Sequence, residues 1–309
     1  MTPDFGVLPP PKLGWQWCAG HGIAIQVPAS WDLVAQQGQR QDGAWRFADD
    51  QRPALQLTWS SRRGDPTKTL RTATRTIGQS NGMTIRHQEA CGENGILAEM
   101  MHPDHPEQRL HVAVTQLGAV WVVWRQITPG SRDEFLHSIQ TAQAFDVATT
   151  VPWRLYQMGL DLRGSWRLQG IRHGAGSLRA VWFAYENPKK STEVSGTLTL
   201  RRWARADYLL QMTSNDLTMW VRTNLPKDER FERMEWDAQA GVVHGRTWRR
   251  RDGWLNRWRD RRDPVDWLAF VDEDKDRLHV IECIGDASLD LSAENFRKDA
   301  DPSRGSVDG

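Results

Sequence analysis

The sequence predicts an α+β protein made of two similar domains, each an antiparallel β-sheet with helices packed on its faces. Three observations carry this. Short runs in which apolar and polar residues alternate recur along the chain, separated by polar turns, as strands of a half-buried sheet require. A few stretches instead place apolar residues at helical spacing. The order of elements in residues 13–150 is repeated in residues 151–300. Antiparallel hairpins with interspersed helices are the pattern of an α+β domain.

The elements follow in order. Residues 1–12 hold Pro9, Pro10 and Pro11 and read as an extended tail. In residues 22–34, Ile23, Ile25 and Val27 alternate along a strand that Pro28 stops, and Trp31 follows. Residues 44–62 read as strand, polar turn and strand, with Trp45 and Phe47 answered by Leu55, Leu57 and Trp59. Residues 66–79 read as a helix, with Pro66 near its start and Gly78 near its end. Four strand-like segments follow, at residues 83–90, 95–102, 109–116 and 119–127. In the last, Val120, Val122 and Trp124 fall on one face and Trp121 and Val123 on the other. A strand apolar on both faces belongs at the centre of a layered structure. Residues 131–145 close the half as a helix, with Ser131 as cap, Glu134 at the capping-box position, and Phe135, Ile139 and Ala142 on one face.

The second half runs in the same order. Residues 153–171 open it with a strand bearing Trp166. Residues 179–203 form a hairpin that ends on Trp203 as the first ended on Trp59. Residues 207–225 read as mainly helical. Strands follow at 231–238, 241–248, 266–273 and 277–285, and a closing helix spans 288–298 with Ser288 as its cap. Residues 301–309 form a polar tail. The boundary between the halves falls at residues 149–152.

The order of strand, Pro28-x-x-Trp31, Trp-bearing hairpin, helix, antiparallel strands including Val122 to Arg125, and a closing helix from Phe135 to Phe145 resembles the PsbP-like fold. That fold is shared by a photosystem extrinsic subunit, a Ran-binding nuclear import factor and chaperones of type VI secretion effectors. The resemblance covers most of the first half and the second in part. It implies a non-catalytic binding or chaperone role by analogy of fold, and it transfers no functional residue.

Composition narrows the function classes. The chain has 309 residues, 39% hydrophobic and 26% charged, which is the make-up of a soluble globular protein. A net charge of +1 leaves no global attraction to nucleic acid or to a membrane surface. No apolar run reaches the ~20 residues of a membrane span, and residues 1–12 do not read as a signal peptide. Cys18, Cys91 and Cys283 are too widely spaced for a disulfide framework, so a reduced, cytoplasmic setting is expected. Phosphate-loop, dinucleotide, zinc-protease and nucleophile-elbow motifs are absent, so no enzyme activity and no cofactor are expected. His102 and His105 could meet in a turn, but their spacing matches no known metal site. Asp272, Asp274 and Asp276 begin like a calcium loop, but Arg277 and Cys283 occupy the positions that need Gly and an acid.

Two skews remain: 17 Trp against 8 Phe and 3 Tyr, and 33 Arg against 7 Lys. Trp-Arg occurs six times, at 45–46, 124–125, 153–154, 166–167, 248–249 and 258–259. On a strand this dipeptide places Trp inward and Arg in water. Residues 244–263 exceed that pattern, with eight Arg, three Asp and three Trp. Asp252-Gly253 predicts a two-residue hairpin turn there. The corresponding first-half stretch is much shorter. The expected binding residues are therefore Arg249, Arg250, Arg251, Trp254, Arg257, Trp258, Arg261 and Arg262. Arg and Trp are the residues that dominate protein-interface hot spots, so a protein partner is expected. The alternative is a single-stranded nucleic acid, with Arg on phosphates and Trp stacked on bases.

Overall fold

The alternation read from the sequence builds three antiparallel sheets. The structure is a computed structural model and describes residues 8–38, 40–49, 52–62, 64–145, 150–155, 158–163, 165–185, 194–224, 230–237, 241–250, 262–273 and 276–285. They fall into two compact units, one up to Asp161 and one from Leu162.

In the first unit a seven-stranded sheet holds β3 (Asp32–Gly38), β4 (Asp42–Ala48), β5 (Pro53–Ser60), β9 (Val120–Gln126), β8 (Arg109–Leu117), β7 (Ile96–Met101) and β6 (Thr84–Ala90), in that spatial order. β9 is the middle strand, as its two apolar faces require. Val122 and Trp124 are fully buried on one face, and Trp121 and Val123 pack on the other. α1 (Pro66–Asn81) starts where Asp65 Oδ1 accepts the N–H groups of Thr67 and Lys68 at 2.8 and 3.4 Å. It ends at Gly82, whose left-handed φ of 68° lets its N–H reach the Gly78 carbonyl. Leu70 and Ala73 of α1 join Ala98, Met100, Leu110, Val112 and Val114 in one buried cluster.

The opposite face of this sheet carries Trp45, Phe47, Leu55, Leu57 and Trp59, all buried. Two elements meet it. α2 (Arg132–Gln140), capped by Ser131, brings Phe135 to 5.7 Å from the His111 ring. A five-stranded sheet, β10 (Gln143–Ala144), β2 (Ile23–Pro28), β1 (Trp15–Gly20), β11 (Thr150–Leu155) and β12 (Met158–Arg163), brings His21 and Trp153 against the tryptophans. β1 and β2 meet through a two-residue turn, His21-Gly22, in which both residues have positive φ.

Several expectations change here. The helix expected over 131–145 stops at Gln140. Thr141 Oγ1 accepts the Gln26 N–H at 3.2 Å, and Gln143 and Ala144 pair with Ala24 and Ile23. Tertiary pairing overrides the helical spacing of Ala142. β1 and β3 were not anticipated, because β3 buries little beyond Leu33 and so shows no alternation. Residues 8–12 are tied down rather than free: the Trp17 indole N–H donates to the Pro9 carbonyl at 2.6 Å, and Leu8 packs on Ala19, Ala24 and Phe145.

The second unit holds a seven-stranded sheet of β13 (Trp166–Gly174), β14 (Ser177–Tyr185), β15 (Val194–Ala204), β19 (Arg277–Gly285), β18 (Arg262–Asp272), β17 (Val242–Arg250) and β16 (Arg230–Asp237). Taken in chain order, this is the strand order of the first seven-stranded sheet. The stretch expected to be mainly helical is two short helices, α3 (Ala206–Gln211) and α4 (Leu217–Asn224). They are broken where Ser214 and Asn215 take positive φ. Asp216 restarts the helix by accepting the Met219 N–H at 3.0 Å. Leu217, Trp220 and Val221 of α4 pack with Val243, Val265, Trp267 and Val280. Trp203 and Trp59 are not equivalent. Trp203 faces this helical cluster, 5.2 Å from Trp220, whereas Trp59 faces away from α1 toward His21 and Trp45. The closing helix expected over 288–298 lies outside the described residues.

Candidate functional site

The Arg- and Trp-rich segment lies on the β17–β18 ladder. Its register is set by the buried face: Thr247 stands opposite Val265 and Gly245 opposite Trp267. The last pair is Arg250 with Arg262. Residues 251–261 join the two strands, and the turn expected at Asp252-Gly253 lies outside the described residues. Of the expected binding residues, Arg251, Trp254, Arg257, Trp258 and Arg261 lie outside the described residues. Arg250 and Arg262 sit opposite each other at the end of the ladder.

Arg249 is placed, and not where the Trp-inward, Arg-outward rule puts it. Thr247 and Arg249 share the face of β17 that packs on Val265 and Trp267, so Trp248 turns the other way. The Arg249 guanidinium pairs with Glu282 of β19, a side chain only 2% exposed. Arg201 of β15 reaches the same carboxylate from the other side at 3.1 Å. Beside them, the Trp267 indole N–H donates to Thr247 Oγ1 at 2.7 Å. Glu282 thus gathers cations from two other strands, and Arg249 serves the sheet. No sequence motif marks this group. Its one sequence signal is an acid within the mostly apolar run LHVIECI.

The rule holds at 45–46, where Trp45 is buried and Arg46 exposed. It fails again at 153–154: both side chains are buried, and Arg154 pairs with Asp161 at 2.8 Å.

Other candidate chemistry is resolved by geometry. His102 and His105 do come together, with ring centroids 5.1 Å apart. His102 Nδ1, however, accepts the Asp104 N–H, and His105 sits beside Glu107. Among the described residues no three His, Cys, Asp or Glu side chains are grouped as metal ligands. Asp276 accepts the Asp207 N–H at 2.9 Å and so caps α3. The three cysteines form no disulfide; burial pushes the Cys18 thiol up and carries Cys283 to about 12. His279 is stacked on Phe270, with ring centroids 4.8 Å apart.

Hollows open among the described residues of the first unit. One of about 750 Å³ lies between α2 and the β6–β7 and β8–β9 turns, beside Cys91. Another, about 300 Å³, lies between the C-terminal half of α1 and the face of β4, β5 and β9 that bears Arg46 and Arg125.

No protein-family model and no curated protein matches the chain. Solved structures do. The chain is similar to the solution structure of cyanobacterial PsbP (CyanoP) from Synechocystis sp. PCC 6803, at 15% identity over 46% of this chain and 99% of that one, with a TM-score of 0.34. It is similar to the type VI secretion immunity protein TplEi of Pseudomonas aeruginosa, at 10% identity over 89% of each chain, TM-score 0.31. It is also similar to a chain of the Tle4–Tli4 complex, at 12% identity over 92% of this chain and 89% of that one, TM-score 0.30. The first of these is a PsbP structure, of the family that the sequence pattern resembles. In the described residues no helix is long and apolar enough to cross a membrane.

Proposed function

We propose that the chain is a non-catalytic adaptor or chaperone-like module of the cytoplasm, built by duplication of one α+β domain. It holds a protein partner through the Arg- and Trp-rich connection between β17 and β18. One observation carries this reading. The two seven-stranded sheets share one strand order, yet their corresponding hairpin connections differ. In the first unit residues 102–108 link β7 to β8 by a compact turn, in which His105 N–H bonds His102 O and Gln108 N–H bonds His105 O. In the second, residues 251–261 link β17 to β18 and add Trp254, Trp258 and four Arg. An insertion into a repeated unit, at a hairpin end, is the usual place for recognition. Its residue types are those of interface hot spots. The raised thiol pKa values speak against a cysteine nucleophile and so favour the non-catalytic reading.

The test is affinity capture of the tagged full chain from its native cell, beside a variant with Arg250, Trp254 and Trp258 changed to Ala. A partner recovered at fixed stoichiometry by the parent and lost by the variant supports the reading. No partner, or one indifferent to the substitutions, overturns it. Tight binding of a mixed-sequence oligonucleotide that falls steeply with salt would also overturn it, in favour of nucleic acid.

A further inference from the structure

The central strands of the two seven-stranded sheets can be compared position by position on their helix-packed faces. In β19 these positions are Leu278, Val280 and Glu282; in β9 they are Trp121, Val123 and Arg125. The third position thus carries a buried acid in one unit and a half-buried base in the other. In the second unit the charge is answered internally, by Arg201 and Arg249 on Glu282. In the first unit it is not. Among the described residues the Arg125 guanidinium has no ion pair, and its Nε is buried without a hydrogen-bond partner. Burial pushes the Arg125 pKa down, the direction of a cation in want of a counter-charge.

A second cation shares this face. Arg46 stands opposite Gln56, and Gln56 opposite Arg125. The three form a cross-strand row, so the two Arg lie two strand spacings apart, roughly 10 Å between Cα atoms. Two long guanidinium arms can converge on one group from that distance. Arg46 has no ion pair either among the described residues. Both line the hollow of about 300 Å³ under α1, and among the described residues that line it none is acidic. Ile77, Leu110 and Ile127 add an apolar side. Buried polar groups without partners are rare in folded proteins and ask for a reason. Here two like charges also repel across the row, and no carboxylate among the described residues pairs with either.

We propose that this hollow is a binding site for a carboxylate carried on a compact apolar group, with Arg125 and Arg46 on the carboxylate, Gln56 between them, and Ile77, Leu110 and Ile127 against the apolar part. The ligand carboxylate supplies the counter-charge that Glu282 supplies to two arginines in the second unit. The volume admits a ligand at the small end of the usual range, which begins at about 300 Å³. A free organic acid and a peptide C-terminus ending in an apolar residue present the same chemistry. This site lies on the other unit from the β17–β18 connection and does not rest on the function proposed above.

The test is calorimetric titration of the full chain with phenylacetate and hexanoate, with phenylacetamide and inorganic phosphate as controls. Gly-Gly-Phe with a free or an amidated C-terminus tells the peptide source from the free acid. Saturable binding is expected for the carboxylates, with phosphate weaker and the amides silent. Arg125→Met should weaken it by at least about tenfold, since a charge-assisted bond is lost, and Arg46→Met by a smaller factor. Because Arg46 is exposed, its variant reports on the site even if Arg125→Met folds poorly. The free Arg125→Met chain should melt no lower than the parent. The proposal is overturned if no carboxylate binds saturably, if phenylacetamide or phosphate binds as well, or if both variants keep the parent affinity.

Discussion

Two buried residues set measurable consequences. Arg201 and Arg249 converge on the buried Glu282 carboxylate within a sheet face. Glu282→Gln would leave two partly desolvated cations without their counter-charge, and we expect a loss of about 3 kcal/mol. Chemical denaturation of parent and variant checks it; an unchanged midpoint would show that the pair is replaceable. His21 works through protonation. It sits in the β1–β2 turn between Trp59 and Trp153, and burial lowers its pKa from 6.5 to about 4 against a hydrogen bond with Gln36. The unfolded chain takes up this proton near pH 6.5, while the folded chain resists until about pH 4. The contribution of neutral His21 is therefore complete above pH 6.5, falls as the pH drops through this window, and is level below it. The drop amounts to about 3 kcal/mol. His21→Asn keeps the left-handed backbone, which Asn tolerates. Denaturation at pH 7.5 and 4.5 should show a smaller drop in this variant than in the parent.

At the level of elements, strand alternation was the reliable guide. Trp45 and Phe47 against Leu55, Leu57 and Trp59 were readable because adjacent side chains on a strand take opposite faces, and the same reading placed β9 in the centre. The closeness of that packing shows at Gly43, where an added Cβ would lie 2.3 Å from Trp59 Cζ2 and 2.7 Å from the Gln37 carbonyl oxygen. We expect Gly43→Ala to cost about 2 kcal/mol by forcing β3, β4 and the Trp59 ring apart. A thermal midpoint equal to the parent's would show that the ring gives way freely. Helix extents were less readable. Ala142 continues the helical spacing of Phe135 and Ile139, yet residues 143–144 pair with β2. Likewise Ser214 and Asn215 divide a stretch that reads as one helix. In both places a local preference loses to hydrogen bonds made with distant or capping residues.

On the scale of the whole molecule, the hairpin β11–β12 is decisive. In sequence it opens the second half, at a boundary expected near residue 150. In space Ala19 of β1 pairs with Arg154 of β11, and Trp153 packs on His21. A fragment of residues 1–163 should therefore unfold cooperatively, whereas a fragment of residues 1–150 should not. Near-ultraviolet circular dichroism during a thermal melt distinguishes them; two equally cooperative fragments would place β11 and β12 outside the first folding unit. The hairpin's sequence does not reveal this, since a strand's own residues specify that it will pair but not with which strand.

The sequence by itself determined the strand-rich α+β class, the central place of β9 and the Ser131 cap of α2, because each rests on local periodicity or on a side chain within reach of its own backbone. The tertiary structure alone decided that Arg249 and Arg201 meet Glu282, that Arg46 and Arg125 share a row without an acid, and that β17 and β18 pair at Arg250 and Arg262. Register and strand order set those meetings, and they come from burying whole faces together, a condition that no short stretch of sequence expresses.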